Sequence, residues 1–170
     1  METKEQISNS NINVGAENKA ITIIVKANAL FNAKYKPINL ENVIDEYVSL
    51  VDADGLTSPF GANNKDYLTY VYMKYGITWS IVLNTEKGED KGYNVHLVDV
   101  VHDPKSGNPN FFTKEVLKAN DKNEIYGEIT VNPDLKDKED SYTIHFYISK
   151  GDEKSAILPI DPKLQIRGKL

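Results

Sequence analysis

Gly76-Ile77-Thr78-Trp79-Ser80-Ile81-Val82-Leu83-Asn84 is the stretch that decides the fold. Ile77, Trp79, Ile81 and Leu83 alternate with Thr78, Ser80 and Asn84. A side-chain period of two belongs to a β-strand with one face buried, here the Trp79 face. The same rhythm recurs downstream. Ile125, Gly127, Ile129 and Val131 alternate with Tyr126, Glu128 and Thr130. Tyr142, Ile144, Phe146 and Ile148 alternate with Thr143, His145, Tyr147 and Ser149. Tyr93–Val101 is a further strand rich in Val and Leu, and Tyr67–Tyr75 reads as another. In Ile21-Thr22-Ile23-Ile24-Val25 nearly every position is apolar or β-branched, the pattern of a central strand covered on both faces.

Turn-rich segments separate these runs. Asp52–Lys65 carries two glycines and a proline, Glu86–Gly92 is a charged and solvated loop, and His102–Asn110 holds two prolines. Asn132–Ser141 reads as a charged linker. Pro159 and Pro162 restrict the last strands, Ser155–Ile160 and Leu164–Ile166, to edge or bulge positions. Leu40–Val51 offers Val43, Ile44, Tyr47, Val48 and Val51 to one helical face, with Asn39 as cap; a strand over Tyr47–Val51 competes with it. Phe111–Ala119 fits a helical turn or a short edge strand.

Seven or eight one-sided strands with no βαβ alternation must close two layers over one interior. The expected fold is mainly all-β, an antiparallel two-sheet β-sandwich with at most one or two short helices. Residues 1–19, polar and asparagine-rich, are expected to form a disordered tail, with a single sandwich domain over 20–170.

Composition narrows the function. The chain has 170 residues, of which 26% are charged, and a net charge of −5, so it lacks the cationic balance of a general nucleic-acid binder. It has no cysteine, which excludes disulfides, thiolate nucleophiles and Cys-ligated zinc. No apolar run is long enough to span a membrane, and the first residues contain no secretory h-region, so the expected location is cytoplasmic.

No reaction motif is present. There is no Gly-x-Ser-x-Gly, no phosphate-binding glycine loop and no His-Glu-x-x-His. His96 and His102 lie six residues apart on one strand, roughly 20 Å at strand rise, too far to share a metal. Asp99 and Asp103 fall on the opposite strand parity to both. The three histidines, His145 included, read as unrelated rim residues. Asp52-Ala53-Asp54-Gly55 fails as an EF-hand loop, because Leu56 stands at the third ligand position and Asn63 at the twelfth. An Asp-Gly turn is the plainer reading. Neither a metal nor a cofactor is expected, and no enzyme activity.

Ten tyrosines against five phenylalanines and one tryptophan are the notable surplus. Tyr70 and Tyr72 share a face of one strand. They point either to cross-strand packing or to a binding surface, since Tyr joins an apolar body to a polar tip. A lectin-like module with Tyr70, Tyr72, Asp52 and Asp54 around a carbohydrate is the alternative functional reading. The leading one is self-association of a homo-oligomer, with neither nucleic acid nor membrane as partner.

The order of short motifs resembles the PixA/AidA-type bacterial inclusion-body proteins. A hydrophobic first strand, Ile21–Val25, runs on to Tyr35-Lys36-Pro37, and Thr57-Ser58-Pro59-Phe60-Gly61 stands as the second loop. Tyr142–Ile148 is followed by a hairpin and by Pro159-Ile160-Asp161-Pro162-Lys163-Leu164-Gln165-Ile166, similar to the family's closing strands. The loop Asn32–Asn39 is poorer in Pro, Asn and Asp than the family's, and the chain has only two methionines where one member type is methionine-rich. The resemblance implies a small β-rich cytoplasmic protein that accumulates and self-associates, and it carries over no catalytic residues.

Overall fold

The structure, a computed structural model, describes residues 18–33 and 40–167, with side chains for all of these but 40–42. The expected tail therefore lies outside the described residues, apart from Asn18 and Lys19, and so do Asn39 and Tyr35-Lys36-Pro37. Among the described residues the first strand starts one residue earlier than the sequence suggests. Lys19 opens strand β1 (Lys19–Val25), and the Asn18 side chain accepts a hydrogen bond from the Gly76 N–H at 2.8 Å.

Two sheets enclose the interior. The first has the order β3 (Thr57–Ser58), β2 (Val48–Asp52), β1, β5 (Gly76–Leu83) and β8 (Glu124–Glu128). The second runs β4 (Leu68–Val71), β12 (Lys163–Ile166), β9 (Glu139–Lys150), β6 (Tyr93–His102) and β7 (Val116–Lys118). The short strands β10 (Glu153–Lys154) and β11 (Leu158–Ile160) add to β9. Two short helices, α1 (Ala27–Asn32) and α2 (Leu40–Tyr47), join β1 to β2.

The mainly β two-layer class is as expected, but the sheets are mixed. β1 pairs β5 in parallel, and β12 pairs β4 in parallel. Alternation assigns a side chain to a face; it says nothing of strand direction, because parity is the same in both pairing modes. Three other expectations are refined. Leu40–Val51 is neither all helix nor all strand: α2 ends at Tyr47, and Val48 passes directly into β2, paired with Val25. The Tyr67–Tyr75 run stops as a strand at Val71 and turns through Lys74, whose φ is +59°. Phe111–Ala119 supplies an edge strand, β7.

Ile21, Ile23 and Val25 of β1 and Ile77 and Trp79 of β5 meet Ile144, Phe146 and Ile148 of β9 in the core, all fully or almost fully buried. The Trp79 indole N–H donates to the Tyr142 hydroxyl at 3.2 Å, a bond from one sheet to the other. β1 is central in its sheet, as its sequence implied, and its inner face is the fully buried one. Thr22 and Ile24 point outward and are half-buried.

Candidate functional site

Register on the outer face of the second sheet is set by a bulge in β6. Pairing with β9 slips between Leu97 and Asp99, so that Leu97 faces Phe146 and Asp99 faces His145. The extra residue, Val98, reverses strand parity and places Asp99 outward, on the same face as His96. This corrects the expectation of opposite parity for His96; His102, paired with Tyr142, stays on the other face from Asp99. The Asp99 carboxylate lies 2.6 Å from His145 Nδ1, and its other oxygen accepts from the Lys118 ammonium at 3.2 Å. One turn of the pleat away, His96 stacks on Tyr147 with ring centres 4.5 Å apart, and its Nε2 lies 2.7 Å from Ser149 Oγ. Burial, and then the Lys154 ammonium, hold the His96 imidazole below its ordinary value of 6.5.

The histidines are thus not isolated rim residues. His102 Nδ1 lies 2.6 Å from Asp140 Oδ1, and the second Asp140 oxygen accepts from the Phe111 N–H at 3.1 Å. Asp140 is fully buried, and burial raises its carboxyl above the usual range against the opposing pull of Phe111 and His102. The sequence placed Asp140 in a charged linker. Its parity with Tyr142, Ile144 and Phe146 is the signal that marks it as inward. Asp90, in what reads as a solvated loop, is also buried: it accepts from the Thr85 N–H at 2.9 Å, the Thr85 hydroxyl at 3.1 Å and the Asn28 N–H at 2.9 Å.

The four residues of the carbohydrate reading do not form one platform. Asp52 is buried, its Oδ1 accepting from the N–H groups of Asp54 and Leu56 at 2.9 and 3.0 Å in a turn closed by Gly55 at φ +81°. Asp54 is exposed and paired with Lys19. Tyr70 lies in β4 with the Arg167 guanidinium carbon 3.5 Å above its ring centre. Tyr72 has left the strand, with the Lys19 ammonium 5.8 Å from its ring centre. Lys19 thus links Asp54 to Tyr72, while Tyr70 borders a separate shallow hollow of about 420 Å³ beside Leu56, Pro59 and Tyr67. Among the described residues no group of three or more His, Asp or Glu side chains is placed to hold a metal ion. No helix among them is long and apolar enough to cross a membrane.

A polar cleft that sequence reasoning did not find lies around the turn Asn64–Asp66. Asp45, Asn63, Asn64, Lys65 and Asp161 line a hollow of about 210 Å³ walled by Pro159 and Ile160. Lys65 and Asp161 also border a neighbouring hollow of about 340 Å³ with Asp103, Ser141, Thr143 and Lys163. The Thr143 hydroxyl donates to Asp161 at 2.6 Å. These residues come from α2, the Asn64–Asp66 turn, the stretch just after β6, β9 and the β11–β12 region, so no local motif announces them.

Neither a family model nor a curated protein matches the chain. Among solved structures, the inclusion body protein PixA from Burkholderia cenocepacia matches with a TM-score of 0.60 at 10% identity, over 92% of this chain and 99% of that chain. The motif order in the sequence pointed to the same kind of protein. At this identity the match concerns the course of the backbone over the matched part, and by it the chain shares the fold of that inclusion body protein.

Proposed function

We propose that the chain is a PixA-type inclusion-body protein, non-enzymatic and cytoplasmic, whose work is to associate with copies of itself. The observation that carries this reading is the near-complete structural correspondence with an inclusion body protein, 92% of one chain on 99% of the other. The histidine environments support it. His102, His145 and His96 are each engaged by a neighbouring side chain, as expected of groups that hold strands in register. A net charge of −5 over 170 residues gives only modest repulsion between copies. Sedimentation velocity from micromolar to millimolar protein tests the reading. The weight-average mass should rise with concentration; a monomer throughout overturns it.

The polar cleft favours a second reading, a carbohydrate-binding module. Carboxylate, amide and ammonium groups beside an apolar wall suit the hydroxyls and the C–H face of a sugar ring. A glycan array run with and without chelator, repeated with Asp161→Ala, tests it. A blank array removes it.

A further inference from the structure

The second sheet ends at strand β4, Leu68-Thr69-Tyr70-Val71. On one side β4 pairs β12 in parallel: the Lys163 N–H donates to the Tyr67 carbonyl at 2.9 Å and the Arg167 N–H to the Val71 carbonyl at 3.0 Å. In such a ladder Thr69 and Val71 turn their main-chain groups toward β12, and Leu68 and Tyr70 turn theirs away. Among the described residues nothing pairs with the N–H and C=O groups of Leu68 and Tyr70. Proteins protect edges of this kind with charge, proline or brevity. The other sheet ends follow that rule. β8 carries Glu124 and Glu128, β7 carries Lys118, and β3 is two residues long and followed by Pro59. β4 is twice as long as β3 and has neither a charge nor a proline. Beside it lies the hollow of about 420 Å³, lined by Leu68 and Tyr70 and by Leu56, which is 44% exposed.

We infer that β4 is the edge through which two copies of the chain pair, strand against strand and antiparallel. The inference rests on the self-association reading above and names its contact. The register follows from β4 itself. With Thr69 on a two-fold axis, Leu68 of each copy faces Tyr70 of the other, and each such pair exchanges two main-chain hydrogen bonds. All the outward groups of both strands are then satisfied. Thr69 and Val71 keep their buried side chains inside, and no like charges oppose each other within the ladder. Charge at the ends of β4 favours a second copy over an unrelated strand. Asp66, exposed, lines the hollow just before β4, and Arg167, exposed, stacks 3.5 Å from the centre of the Tyr70 ring. The antiparallel two-fold brings Tyr70, with its Arg167, to the partner's Leu68 and toward the partner's Asp66. Each copy thus offers a cation to the other's carboxylate, which offsets the repulsion of two chains of net −5.

Amide hydrogen exchange of the full chain, read by NMR at low and high protein concentration beside sedimentation velocity, tests it. Exchange at Leu68 and Tyr70 should slow several-fold as the sedimenting mass rises, while exchange at Tyr126, on the charged edge of β8, stays constant. Cross-linking tests the register, on a background free of cysteine. Leu68→Cys mixed with Tyr70→Cys sets two thiols at a directly opposed pair, with Cα atoms about 5.5 Å apart, within the span of a disulfide. In either variant alone the cysteines of two copies stand diagonally, about 7–8 Å apart. Under mild oxidation the mixture should form disulfide-linked dimer faster than either variant alone; equal rates overturn the two-fold register. A wild type that gains mass with exchange at Leu68 and Tyr70 unchanged overturns the edge but leaves self-association standing. Protection of both amides that does not vary with concentration assigns the edge to a segment of the same chain and overturns the second copy as its partner. A monomeric wild type overturns both readings.

Discussion

Trp79 and Tyr142 meet edge to face at 5.5 Å between ring centres, and the indole N–H donates to the phenol oxygen at 3.2 Å. They belong to different sheets, and both are essentially without solvent contact. Burial pushes the Tyr142 hydroxyl far above the ordinary tyrosine value, so it stays neutral and available as acceptor.

Tyr142→Phe keeps the ring and leaves the indole N–H without its acceptor. It should cost roughly 1–3 kcal/mol, the penalty of an unsatisfied buried donor. Trp79→Phe removes volume as well as the donor and should cost more, about 3 kcal/mol or above. Urea unfolding followed by circular dichroism compares the two. Equal midpoints for Tyr142→Phe and wild type would show that the inter-sheet bond contributes nothing.

The buried Asp90 carboxylate closes its own loop through two hydrogen bonds from Thr85 and ties it to the first turn of α1 through a third, from the Asn28 N–H. Asp90→Ala leaves the Thr85 and Asn28 N–H groups without an acceptor. The expected loss is about 2–4 kcal/mol, large for a loop residue. Glu86→Ala and Glu89→Ala, exposed in the same loop, should each stay within about 0.5 kcal/mol of wild type. Comparable melting temperatures for all three variants would contradict the assigned role.

Asp90 also shows where reading the sequence reaches its limit. Strand identity was legible wherever one face is apolar, because burial imposes a period of two on Ile77–Leu83 and Tyr142–Ile148 whatever they pair with. Pairing was not legible. Parallel contacts of β1 with β5, and of β12 with β4, depend on how the chain crosses between sheets. Asp90 and Asp140 sit among charged neighbours and look solvated; their burial is decided by backbone N–H groups distant in sequence. The His145–Asp99 pair waits on the bulge at Val98, which one residue more or less in the pattern conceals. The polar cleft draws on five separate segments, so only the fold assembles it.

Two glycines on neighbouring strands separate close approach that matters from close approach that does not. A Cβ on Gly127 would lie 2.6 Å from Phe112 and 2.8 Å from Leu117, ring and methyl that pack toward the core. A Cβ on Gly76 would lie 2.4 Å from the Tyr126 ring, but that side chain is exposed and can swing away. Gly127→Ala should destabilise by roughly 1–3 kcal/mol through overpacking, while Gly76→Ala should cost well under half as much. Thermal denaturation of the pair decides it, and the reverse order would place the crowding on the wrong strand.

His96 gives the outer face of the second sheet a pH dependence whose sign can be worked out. Its folded value lies below 6.5 because burial, and then Lys154, disfavour the imidazolium. The unfolded chain therefore takes up the proton first as pH falls, and stability declines with it. The contribution is fully present above the unfolded value of 6.5 and is lost as pH drops through the folded one. His96→Gln should flatten that part of the stability curve between about pH 7 and pH 5. Lys154→Ala should raise the His96 value, visible in the NMR titration of its ring protons, without breaking the stack on Tyr147. An imidazole titrating at or above 6.5 in the folded wild type would show that its cover is thinner than the stacked ring and the Ser149 hydroxyl imply.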